Sequence, residues 1–106
     1  MYTNSNQTAK LIELRFEKPK KRIVKQRFDR STSSWIVVGE EGDYSIGELL
    51  SFLPLTIQWT PRVIRGNVIE YSFETEGSEL YYCNAHNELI DNLYDMILRL
   101  KEEGVI

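Results

Sequence analysis

Between Val68 and Glu103 the apolar residues change their spacing, and that change limits the chain to folds in which a sheet and a helix share a core. In Val68-Ile69-Glu70-Tyr71-Ser72-Phe73-Glu74, the side chains of Ile69, Tyr71 and Phe73 fall on one side of an extended strand and Glu70, Ser72 and Glu74 on the other. One face is therefore expected to be buried and the other wet. From about Ala85 the period becomes helical: Leu89, Ile90, Leu93, Met96, Ile97 and Leu100 share a face, with Glu88, Asp91, Asp95, Arg99 and Glu102 opposite. Asn84, or failing it Asn87, is the expected N-cap. Gly104 suits the left-handed position after the last turn, where Leu100 and Val105 then stand at the apolar contact of a Schellman motif.

The remaining chain supplies more strands and one short helix. Ile12, Leu14 and Phe16 alternate in Lys10-Leu11-Ile12-Glu13-Leu14-Arg15-Phe16, which predicts a strand, and Arg22 to Phe28 repeats the period less cleanly. Pro19 and the surrounding charges favour a turn between them, so a basic hairpin is expected. Ser31-Thr32-Ser33-Ser34 reads as a loop leading into a third strand, Trp35-Ile36-Val37-Val38. Ser45 and Glu48 stand three apart ahead of an apolar run, the spacing of a capping box, with Tyr44 and Leu49 placed as its hydrophobic staple. The helix they start carries Ile46, Leu49, Leu50 and Leu53 on one face and stops at Pro54. Strands are then expected at Thr56–Trp59, Val68–Glu74 and Glu79–Cys83, with turns at Arg65-Gly66-Asn67 and Glu76-Gly77-Ser78 and a loose loop around Pro61. The order ββ-β-α-βββ-α predicts an α+β fold: about five to six antiparallel strands, in one sheet or two small ones, under the long C-terminal helix. Residues 1–9 are expected as a disordered polar tail and residues 10–106 as a single domain.

Charge is unevenly distributed. Residues 15–30 hold eight of the thirteen basic residues against Glu17 and Asp29, about +6, while the rest of the chain is about −9 and the total is −3. Arg15, Lys18, Lys20, Lys21, Arg22, Lys25, Arg27 and Arg30, with Phe28 and Trp35 nearby, supply what an acidic protein surface or a nucleic acid requires: cations and rings that stack. Lysines on an exposed strand also discourage pairing with other molecules, so a solvated edge strand accounts for the same residues. Trp59, Tyr81 and Tyr82 are the second candidate interface. Tyr81 and Tyr82 are adjacent in one strand and cannot face the same side, so one of them points outward.

Chemistry is sparsely represented. The single Cys83 excludes an internal disulfide and fits a reducing compartment. His86, the one histidine, lies three residues after it, a spacing that admits a thiol–imidazole pair but supplies neither a lowered thiol pKa nor a cleft. Glu40, Glu41 and Asp43, and likewise Glu74, Glu76 and Glu79, read as solvated turns with no cation-binding pattern. Phosphate-binding glycine loops and nucleophile elbows are absent. The expectation is a small cytoplasmic binding domain with no membrane span, catalytic residue, metal, cofactor or small-molecule substrate. A protein partner, in the simplest case a second copy, leads; nucleic-acid binding through residues 15–30 is the alternative and a Cys83/His86 thiol enzyme the third reading.

Overall fold

The computed structural model describes residues 1–20, 22–73 and 79–106, and the side chains of all of these except 22–25 and 38–42. The fold is α+β, with three helices and two antiparallel sheets of two and four strands among the described residues. The chain divides into two compact units: Asn4–Tyr44, and Met1–Thr3 with Ser45–Ile106.

In the first unit, helix α1 (Ser5–Glu13) precedes strands β1 (Arg22–Asp29) and β2 (Ser34–Gly42), which pair as an antiparallel ribbon. Helix α1 replaces the expected first strand and takes up most of the expected tail. The Asn4 side chain accepts from the Gln7 N–H and the Gln7 side chain from the Asn4 N–H, a capping box whose sequence spacing matches that of Ser45 and Glu48. The alternation of Ile12, Leu14 and Phe16 is real but subordinate: Thr8 and Leu11, three apart, are the buried positions. Helix α1 ends in a Schellman motif, with the Phe16 N–H on the Leu11 carbonyl at 3.1 Å and the Arg15 N–H on the Ile12 carbonyl at 3.0 Å. Arg15 thus sits at φ 69°, where glycine is usual. The basic hairpin is consequently β1–β2, not a pairing of residues 10–16 with 22–28. Residues 39–42, expected as a turn, continue β2 opposite Arg22–Lys25 beyond a bulge.

In the second unit, helix α2 (Ile46–Phe52) begins at the predicted capping box, with the Glu48 N–H on Ser45 Oγ and the Ser45 N–H on Glu48 Oε1, each at 3.2 Å. Strands β3 (Thr56–Ile57), β4 (Thr60–Arg65), β5 (Val68–Tyr71) and β6 (Tyr81–Cys83) form a meander in chain order, and helix α3 (Leu89–Glu102) packs on it. Strand β4 stands where a loose loop was expected. Pro61 is tolerated because its missing N–H falls beyond the last registered pair of the β4–β5 ladder, Arg62 with Tyr71, while its carbonyl still accepts from the Ser72 N–H. Strand β5 ends at Tyr71, so Phe73 escapes the alternation and is exposed. Glu70, expected on a wet face, is buried between its ladder neighbours Val63 and Tyr82, and Ser72 is buried too. The core comprises Leu49, Leu53, Ile57, Ile69 and Tyr71 with Ile90, Leu93, Met96, Ile97 and Leu100 of α3. The end of α3 is as expected: the Val105 N–H meets the Leu100 carbonyl at 2.9 Å with Gly104 at φ 75°. Its start is not, since α3 begins at Leu89 after Glu88 and uses neither Asn84 nor Asn87 as a cap.

Candidate functional site: the β1–β2 ribbon

The ribbon is fastened at both ends. At its tip, Asp29 Oδ1 accepts from the Ser31 hydroxyl at 2.7 Å and the Ser31 N–H at 2.9 Å, a local turn that also holds the Asp29 carboxyl below its ordinary pKa. At its base, the Thr8 hydroxyl of α1 donates to Asp43 at 3.0 Å and the Tyr44 hydroxyl donates to the Glu17 carbonyl at 2.6 Å. The strands between those fastenings put apolar side chains into solvent. Phe28 and Trp35 face each other across the ladder, edge to face with centroids 5.4 Å apart, yet remain 45 % and 65 % exposed. Val37, two residues from Trp35 and on the same face, is exposed as well.

The basic residues lie along the segment that leads into β1, on β1 itself and, for Arg30, just beyond its end, with only Arg27 and Arg30 within two residues of Phe28. Arg15, Lys18, Lys20, Arg27 and Arg30 are exposed. Among the described residues, Arg15, Lys18, Arg27 and Arg30 form no ion pair, in contrast to Lys10 with Glu13, His86 with Asp95 and Arg99 with Glu103. Lys21 and the side chains of Arg22 and Lys25 lie outside the described residues, as do the side chains of Glu40 and Glu41 and the whole of Glu74 and Glu76. Among the described residues, no three His, Cys, Asp or Glu side chains converge on a metal-sized site.

The second candidate surface is not one patch. Trp59, 91 % exposed, occupies the β3–β4 turn, whereas Tyr81 and Tyr82 lie on β6 at the far edge of the sheet, on the order of 10 Å away or more at ordinary strand spacing. Tyr82 points outward, while Tyr81 turns toward Tyr71 and lies under the Arg99 guanidinium, 5.1 Å from its ring centre. Gln58 and Trp59 both have positive φ, 50° and 66°, as in a type I′ turn, which favours Asn-Gly.

Comparison with known proteins adds no relative. No family model, curated protein or solved structure matches the chain.

Cys83 and His86 do not form a pair. The imidazole Nε2 lies 2.8 Å from Asp95 Oδ2, and burial, reinforced by the Asp95 charge, pushes the Cys83 thiol pKa up, away from the reactive thiolate. What surrounds His86 is instead a structural knot that sequence reasoning missed. Asn92, fully buried on α3, donates to the carbonyls of Asn67 at 2.6 Å and His86 at 3.0 Å and accepts from the His86 N–H at 3.0 Å. Asn67 returns a bond from its side chain to the His86 carbonyl at 2.8 Å. The signal in the sequence was a polar residue inside the apolar stripe, Asn92 beside Leu93.

Proposed function

We propose that this chain is a non-enzymatic binding module that docks a protein partner through the β1–β2 ribbon, and that it works in the reducing cytoplasm, where its single thiol stays free. The observation that carries the reading is the Phe28–Trp35 pair, large rings left in solvent on one face of the ribbon, with Arg27 on the other face and Arg30 just beyond the end of β1, neither arginine having a carboxylate partner among the described residues. Aromatic and arginine side chains dominate protein interfaces because they offer large, desolvatable contact area. Cations at the rim orient an acidic surface onto them. No helix among the described residues is long and apolar enough to cross a membrane.

The same rings and arginines suit a single-stranded nucleic acid, which is the competing reading. Photo-cross-linking separates the two. With p-benzoylphenylalanine at position 35 in cells of the source, the protein reading expects covalent adducts to polypeptide that weaken when Arg27→Glu and Arg30→Glu are added. Adducts to RNA or DNA, or none, would refute it.

A further inference from the structure

Among the described residues the ribbon has two strands, so each strand has an outer edge. The edges differ in charge. Strand β1 carries three basic residues, Arg22, Lys25 and Arg27, against the single Asp29, and basic residues along a strand are a usual guard on an open edge. From Ser34 to Gly39 strand β2 carries no charge, and Trp35-Ile36-Val37-Val38 is a run of strong strand formers. Among the described residues, Trp35, Ile36 and Val37 bond to no backbone outside the β1–β2 ladder. An uncharged edge with exposed apolar side chains is a template for another strand.

Building on the reading of the ribbon as a protein-docking surface, we propose that the strand it takes is β2 of a second copy, antiparallel about a two-fold axis through Ile36, giving a four-stranded sheet β1-β2-β2′-β1′. Two features select a second copy over an unrelated strand. An axis perpendicular to the sheet preserves its faces, so Trp35 of one copy stands opposite Val37 of the other, twice, and the two exposed side chains cover each other. Antiparallel pairing also brings the tip of one ribbon, which holds Arg30, toward the end of β2 where Glu40 and Glu41 stand in the other. The bulge between Lys25 and Gln26 leaves Val38 without a ladder partner and ends the regular stretch there, so the new seam is short and the dimer dissociates on dilution.

The test is light scattering on the purified chain over a wide concentration range, with cysteine scanning of the seam. The mass is expected to rise from 12.5 kDa toward twice that value on concentration, and Val37→Lys, a change at an exposed position, is expected to hold it at the lower value. In a Cys83→Ala background Ile36→Cys should oxidise to a linked dimer at least tenfold faster than Trp35→Cys or Val37→Cys, because only position 36 meets itself. A wild-type chain that stays at 12.5 kDa, or a dimer indifferent to Val37→Lys, overturns the proposal. A monomer that still cross-links to another protein through position 35 would end this inference and leave the docking reading intact.

Discussion

Asn92→Ala should be among the most damaging single changes in the α3 unit. The side chain is fully buried and its three hydrogen bonds join three segments that have no shared backbone ladder: the β4–β5 turn at Asn67, the connection at His86 and α3 itself. Each bond contributes about 1 kcal/mol net, and truncation also strands polar groups that water reaches poorly, so a loss of about 3 kcal/mol is expected. The His86 carbonyl keeps its bond from the Asn67 side chain, which prevents a larger figure. Asn92→Asp discriminates further. A carboxylate still accepts from the His86 N–H but faces two carbonyl oxygens with no proton to give, so it should be at least as damaging as alanine at neutral pH and partly rescued in acid. Urea denaturation followed by circular dichroism measures both, with exposed Asn87→Ala as a control near zero. If Asn92→Ala unfolds within about 0.5 kcal/mol of wild type, the knot does not hold the connection and the reasoning fails.

Three further outcomes are expected. Arg15→Gly places the residue that favours φ 69° at the end of α1 and should raise stability by about 1 kcal/mol, read as a higher thermal midpoint; a lower midpoint would contradict the Schellman assignment. Trp59→Gly should give a similar gain by relieving φ 66° at a side chain that packs on almost nothing, and a loss by the same measurement would show that the indole has a contact of its own. Burial pushes the Tyr71 phenol up from 10.0 to about 12, against the Arg62 charge, while its hydroxyl donates to the Pro54 carbonyl at 2.6 Å. A raised folded-state pKa means stability intact below pH 10 and lost as pH climbs through 12, about 2–3 kcal/mol in all, and Tyr71→Phe should flatten that alkaline slope; an unchanged slope would place the loss elsewhere.

What could be read in advance was what local chemistry decides. Ser45 and Glu48 satisfy each other's backbone N–H groups without help from the rest of the chain, and Gly104 adopts a conformation most residues avoid, so both ends were legible from a few residues. The class followed from the change of period, because an apolar strand face and an apolar helix face need each other. The amino-terminal helix was missed where two periods overlap, since Thr8 and Leu11 serve a helix while Ile12, Leu14 and Phe16 serve a strand, and only the Asn4–Gln7 cap decides. Strand β4 was hidden by Pro61, whose position at the end of a ladder depends on its neighbours in space. On the candidate surface, the basic residues of 15–30 were visible by composition, but the pairing of Phe28 with Trp35 depends on the register of β1 against β2, which alternation does not specify.

The docking claim is most directly tested by hydroxyl-radical footprinting of the two tryptophans, in intact source cells and in dilute purified protein. In buffer both indoles are open, Trp35 at 65 % and Trp59 at 91 % exposure, so Trp59 serves as the internal reference. Protection of Trp35 in the cell, with its oxidation falling severalfold relative to Trp59, is the predicted result; the same ratio in cells as in dilute solution would contradict it.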